Sequence, residues 1–284
     1  MIQVFEAYEE KDAAMHVYAL SLEKGGCGKT ALAVNLAAGF QQLGLRVLLV
    51  DLDAQASATH WLGLDPGLLR REASVLGVLD DAMRGSVTAE SVLARAVATE
   101  EGVDVLPAHG LMAALPAQLS AAPLGGLFLL RQALAAVGQS SAPYDIVVLD
   151  LPPARGPVQA MSLAAATRCI VPIQPEDLVV RALQALMTSV EQVRQNDVNS
   201  ALRVSVVRNK YAPRSNADRV FDQLLQEHYG PYLARTIFPI RAALRDSAAL
   251  QQSVFRYAGP DAGEVRALFL QLIEELVGMD GQQP

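Results

Sequence analysis

Apolar residues along this 284-residue chain fall into short runs separated by glycine, proline and charge. Val17-Tyr18-Ala19-Leu20-Ser21-Leu22 reads as a buried strand. Three glycines in four positions follow it, and Leu32, Leu36, Phe40 and Leu43 then mark one face of a helix over 31–44. A second apolar strand, 46–50, runs into Asp51-Leu52-Asp53-Ala54-Gln55, and a third run, 144–150, ends in Asp150. Between 63 and 141, Ala/Leu-rich helical patterns alternate with Pro and Gly breaks around one strand at 103–106. Helical and strand periods alternate without internal repeats. That pattern predicts one doubly wound α/β domain over 15–284, with a mostly parallel sheet and helices on both faces. Residues 1–14 are expected to be a short, poorly ordered extension.

The glycine stretch holds the densest chemistry. The chain has only four lysines against nineteen arginines, yet Lys24 and Lys29 fall within six residues of each other. Strand, glycine loop and helix together form the setting of a phosphate-binding loop. Glycine lacks Cβ, so successive N–H groups can turn inward around an anion at a helix N-terminus. Lys29 then reaches the β- and γ-phosphates, and the Thr30 hydroxyl ligates Mg²⁺. In a parallel sheet, ligands bind beyond the carboxyl ends of the strands, which directs Asp51 and Asp53 toward the same loop. Asp150 follows four apolar residues and is placed to hold Mg²⁺ through a water.

Lys24-Gly25-Gly26-Cys27-Gly28-Lys29-Thr30 resembles the deviant Walker A loop of the ParA/MinD-type ATPases, a branch of the P-loop NTPases. Glu23 stands where the general P-loop pattern has its first glycine, Cys27 replaces a common valine, and Ala31 replaces a common threonine. The resemblance continues through Asp51–Gln55, with Ala54 in place of proline, and through Asp150-Leu151-Pro152-Pro153. It implies an ATP and Mg²⁺ site lined by Lys24, Gly25, Gly26, Cys27, Gly28, Lys29, Thr30, Ala31, Asp51 and Asp150. It also implies that Asp53 orients the attacking water and that Lys24 reaches across a homodimer to the partner's nucleotide. Phosphoryl transfer asks for such positioning more than for a strong base. Hydrolysis in this family is slow and is stimulated by a partner, typically a ParB-like centromere-binding protein.

Composition removes other classes. At 51% hydrophobic the chain can bury a large core. No eighteen-residue apolar stretch lacks a charge or a turn, and Glu6, Glu9 and Glu10 sit where a signal peptide would be basic. Two cysteines, Cys27 and Cys169, are too few for a disulfide framework or an iron–sulfur dimer, and point to a cytoplasmic protein. Cys27 is read as a small residue packing the loop. His16, His60, His109 and His228 show no ligand spacing.

The net charge of −7 is unevenly spread. Residues 203–245 carry eight basic and three acidic side chains, a net +5, which leaves −12 elsewhere. A basic surface on an acidic body suits sequence-independent binding of nucleic-acid phosphates. By resemblance, Arg214, Arg241 and Arg245 are the expected contacts to double-stranded DNA. The amphipathic stretch 262–277 carries Glu264, Glu274 and Glu275 against Arg266, which disfavours a membrane surface and favours a docked core helix. The expectation is an ATP-switched DNA-binding segregation motor, associated with the nucleoid when ATP-bound. The alternative is an ATPase of the McdA/MinD kind that positions a protein cargo or regulates division. A metabolic P-loop enzyme such as an amidoligase fits the two lysines less well.

Overall fold

The computed structural model describes residues 15–122, 126–212 and 216–280. Its strands are β1 (His16–Leu20), β2 (Val47–Asp51), β3 (Val97–Ala98), β4 (Asp104–Leu106), β5 (Ile146–Asp150), β6 (Arg168–Ile173), β7 (Arg203–Tyr211) and β8 (Leu233–Pro239). Its helices are α1 (Lys29–Gln42), α2 (Ser57–Trp61), α3 (Val75–Met83), α4 (Ala89–Leu93), α5 (Leu115–Ala121), α6 (Leu129–Gly138), α7 (Pro157–Ala165), α8 (Asp177–Gln195), α9 (Asn216–Tyr229), α10 (Ala242–Ala249) and α11 (Ala262–Asp280).

The strands form one sheet in the order β3-β4-β2-β5-β1-β6-β7-β8. Every pairing is parallel except β3 with β4 at one edge. The central strands are apolar throughout because both of their faces are covered. In β1, Val17 and Ala19 enter one core while Tyr18 and Leu20 enter the other. The first core packs against α3, α5, α6, α7 and α8, and the second against α1 and α11. Tyr18 stacks on Phe40 of α1, with ring centroids 5.4 Å apart.

The register sets the position of the site. Leu20 at the end of β1 pairs with Asp150 of β5, which pairs in turn with Asp51 of β2. The loop leaving β1 therefore emerges beside both carboxylates. The predicted helix over 31–44 begins two residues earlier, at Lys29, because Gly28 adopts a left-handed φ of +95° that ends the loop. The predicted strand at 103–106 is observed as Asp104–Leu106, with the antiparallel β3 beside it.

The 262–277 stretch is a docked helix, as expected. Phe269, Leu272, Ile273 and Leu276 of α11 are fully buried. Its Glu275 accepts hydrogen bonds from the Arg235 N–H (2.6 Å), the Thr236 N–H (2.9 Å) and the Thr236 hydroxyl (2.6 Å). That carboxylate satisfies donors on the edge strand β8 that would otherwise invite another chain to pair. Among the described residues no helix is long and apolar enough to cross a membrane. The extension predicted for 1–14 lies outside the described residues.

Candidate nucleotide site

The β1–α1 loop is built around Lys29, a residue only 7% exposed. Its Nζ donates to the carbonyls of Leu22 (3.1 Å) and Lys24 (2.9 Å) and lies 4.0 Å from Cys27 Sγ. A buried cation held by carbonyl dipoles, with the Asp150 carboxyl near enough to feel its charge, favours an anion at this loop. Gly25 and Gly26 leave open space where a Cβ would stand, and Gly26 takes a left-handed φ of +76°. The N-terminus of α1 adds its dipole from below. Ala31 follows in the first turn of that helix, where its carbonyl accepts from the Asn35 amide at 2.8 Å.

Thr30 and Asp150, 120 residues apart, meet directly, with Thr30 Oγ1 donating to Asp150 Oδ2 at 2.7 Å. Asp150 is fully buried, and its Oδ1 has no hydrogen-bond partner among the described residues. Burial, with the nearby Asp51 charge adding to it, pushes the Asp150 carboxyl well above the ordinary range. Burial likewise raises Asp51 to about 6, although the Thr59 hydrogen bonds oppose that shift. Two buried carboxylates with one orphaned oxygen form a donor set that a hard divalent cation completes.

Asp51 uses its oxygens within the chain. Oδ2 accepts from the Thr59 N–H and hydroxyl, both at 2.8 Å, and Oδ1 accepts from the Asp53 N–H at 3.1 Å. It holds the loop after β2 in place and lends the site its charge. Asp53 is half-buried, and its Oδ1 accepts from the Gln55 N–H at 2.9 Å. It lies close enough for its charge to add to the upward shifts of Asp51 and Asp150.

The remaining loop residues have local roles. Cys27 is buried, its Sγ donates to the Lys24 carbonyl at 3.3 Å, and burial raises its thiol above the ordinary range. It packs the loop and is no reactive thiolate. The Glu23 carboxylate faces Arg155, at 3.9 Å, in the segment after β5. That arginine opposes the negative charge Glu23 brings to the loop. The Lys24 ammonium forms an ion pair with Glu176, just ahead of α8.

Sequence reasoning missed four residues at this site: Arg155, Glu176, Asn209 and Lys210. Asn209 Nδ2 donates to the Cys27 carbonyl at 2.8 Å, and Lys210 Nζ donates to the Gly26 carbonyl at 2.6 Å. The lysine count was the available signal, since Lys210 is the third of four lysines to reach this loop.

The basic stretch 203–245 does not present a single free surface. Arg208 is buried, with its guanidinium donating to Asp222 and to the Ala234 carbonyl, each at 2.8 Å. Arg241 is held by both oxygens of Glu264, at 3.0 and 2.6 Å. Arg245 is 81% exposed and pairs with its neighbour Asp246 at 3.0 Å. Arg214 lies outside the described residues.

A buried lysine in a glycine loop, at the N-terminus of a helix and facing two strand-end carboxylates, defines a P-loop nucleotide-binding protein. Comparison with known proteins narrows the class. A family profile described as an AAA domain matches residues 15–204. The chromosome-partitioning ATPase Soj of Thermus thermophilus is 32% identical over 246 residues, spanning 86% of this chain and 89% of that protein. The chain belongs to the ParA/MinD-type partition ATPases. Among solved structures, Mycobacterium smegmatis cobyrinic acid a,c-diamide synthase with bound ATP analogue and magnesium is 29% identical. It aligns with a TM-score of 0.68, over 86% of this chain and 95% of that one. An ATP complex of a Cyanothece McdA variant aligns with a TM-score of 0.75 at 18% identity, over 92% and 96% of the two chains, and shows the fold alone.

Proposed function

We propose that this protein is an ATP-driven partition switch. It binds Mg-ATP, dimerises around two nucleotides, holds DNA without regard to sequence and lets go after hydrolysis. The cargo is a chromosome or plasmid, and a ParB-like partner stimulates turnover in the cytoplasm. One observation carries the reading: the buried Lys29, the Thr30–Asp150 pair with its orphaned oxygen, and a second lysine, Lys24, converge on one loop.

The geometry and the family resemblance together support a division of labour. Lys29 and the amides of 25–31 would hold the phosphates, while Thr30 and Asp150 would hold Mg²⁺. When bound, Mg-ATP supplies the scissile phosphoanhydride and neutralises the pair of buried carboxylates. Asp53, the least buried of the three acids, orients water at the mouth of the site. Lys24, at the loop's outer side, extends to the partner subunit's nucleotide.

One observation favours a second reading, in which the dimer positions a protein cargo. Arg208 and Arg241 spend their charge on Asp222 and Glu264, which thins the basic surface. Light scattering with ATP, and with ATP plus plasmid, separates the two. A rise that needs both ATP and plasmid, and that fades steeply with salt, supports the DNA switch. An ATP-dependent dimer indifferent to plasmid favours protein cargo.

A further inference from the structure

Two consecutive residues at the end of β7 grip two consecutive carbonyls of the phosphate loop. Asn209 Nδ2 donates to the Cys27 carbonyl at 2.8 Å, and Lys210 Nζ donates to the Gly26 carbonyl at 2.6 Å. The fit leaves little slack: a Cβ on Gly28 would come within 2.3 Å of Asn209 Nδ2. Asn209 is 4% exposed, so its amide is fixed by its surroundings. Lys210 holds a left-handed φ of +56°, uncommon for a residue with a side chain. Its N–H donates back to Asn209 Oδ1 at 3.0 Å, which locks the two residues together.

The consequence follows from the planarity of the peptide bond. In a trans peptide the C=O of one residue and the N–H of the next point in opposite directions. A donor that pulls the Gly26 carbonyl outward turns the Cys27 N–H inward. A donor on the Cys27 carbonyl does the same for the Gly28 N–H. We propose that Asn209 and Lys210 are positioning residues for phosphate binding, an outer brace that aims the Cys27 and Gly28 amides into the anion cradle. Neither residue needs to touch the nucleotide to do this. Lys210 also adds a third ammonium to a loop that already has Lys24 and Lys29, in a chain with four lysines in all. The brace ties the phosphate loop to the end of β7.

The inference rests on the phosphate-loop reading of 24–30, and the experiment keeps the two apart. Equilibrium binding of a fluorescent ATP analogue in the presence of Mg²⁺ is measured for the native chain and for Lys29→Ala, Lys210→Met, Lys210→Arg and Asn209→Ala. Lys29→Ala should lose binding. Lys210→Met should weaken it about three- to tenfold, and Lys210→Arg should recover much of that loss. The melting temperature of nucleotide-free Lys210→Met should match the native value, because the ammonium is exposed. In chain labelled with ¹⁵N-glycine, the Gly28 amide should shift on nucleotide binding in the native protein and shift less in Lys210→Met. If Asn209→Ala fails to fold, Lys210 alone decides. Native-like affinity and a native Gly28 shift in Lys210→Met, with Lys29→Ala inactive, would overturn the brace. Retained binding in Lys29→Ala would bring down the phosphate-loop reading and the brace with it.

Discussion

Lys24 and Glu176, separated by 152 residues, form an ion pair within one chain. The other carboxylate oxygen of Glu176 accepts from the Gln174 side-chain amide, so the acid is held in place to receive the lysine. Lys24 is the residue expected to cross the dimer, and here its ammonium rests on its own subunit. Crossing therefore means leaving Glu176. An ion pair this exposed contributes about 0–1 kcal/mol, small enough for a nucleotide to displace. Lys24→Ala should bind ATP as a monomer and fail to form the ATP dimer. Glu176→Gln should tighten that dimer by up to about fivefold per subunit. Sedimentation velocity with ATP reads both, and unchanged dimerisation in Lys24→Ala would remove the crossing role.

Asp53 offers a cleaner separation of binding from chemistry. Asp51 and Asp150 are buried and engaged, whereas Asp53 is half-buried at the strand end. Asp53→Ala should bind ATP and dimerise normally while phosphate release falls by about 100-fold or more, the scale of a lost positioning group. The expected species is a long-lived ATP dimer. Normal phosphate release from this variant would reassign the water-orienting role.

The sequence exposed those elements whose signals are local. Val17–Leu22, 46–50 and 144–150 read as buried strands because both faces of the sheet are covered and no polar alternation interrupts them. The phosphate loop was legible because glycine, lysine and threonine have few other reasons to share that spacing. What stayed hidden depends on distance. Nothing near Asn209 signals a contact 182 residues away, and nothing near Glu176 announces Lys24. The edge strand β3, two residues long, lies below the length at which alternation is readable. Counting charge over 203–245 gave the net sign but not the partners. Arg208 turned inward to Asp222, and Arg241 found Glu264 on α11.

That difference in partners ranks the arginines. Arg241 is clamped by both oxygens of Glu264, while Arg245 is 81% exposed beside Asp246. A phosphate can take Arg245 without breaking a bidentate pair. Arg245→Glu should therefore weaken ATP-dependent DNA binding more than Arg241→Glu does. Glu264→Gln should strengthen it by freeing Arg241. Filter binding across a salt series is the measurement, and each lost phosphate contact lowers the slope by about one. Identical affinities and slopes in all three variants would move the DNA surface elsewhere.

The buried carboxylates predict an unusual dependence of stability on pH. Asp51 is raised to about 6 and Asp150 is raised as well, chiefly by burial. For such acids the folded state holds protons that the unfolded state has released. Their effect on the nucleotide-free protein is thus a penalty, present above each folded pKa and relieved as pH falls through it, which for Asp51 is about 6. Asp150→Asn removes an ionisable carboxyl from the pair and keeps an acceptor for Thr30. It should raise the nucleotide-free melting temperature at pH 7.5 by roughly 2–4 °C for each ~1 kcal/mol relieved. The difference from the native chain should narrow as pH falls to 5. With Mg²⁺ and ATP present the order should reverse, because the native pair gains a cation that the variant holds poorly. A native chain that melts no lower than Asp150→Asn at pH 7.5 without nucleotide would show that the pair carries no such penalty. The two carboxylates would then be compensated within the protein, and the case for a cation between them would lose its main support.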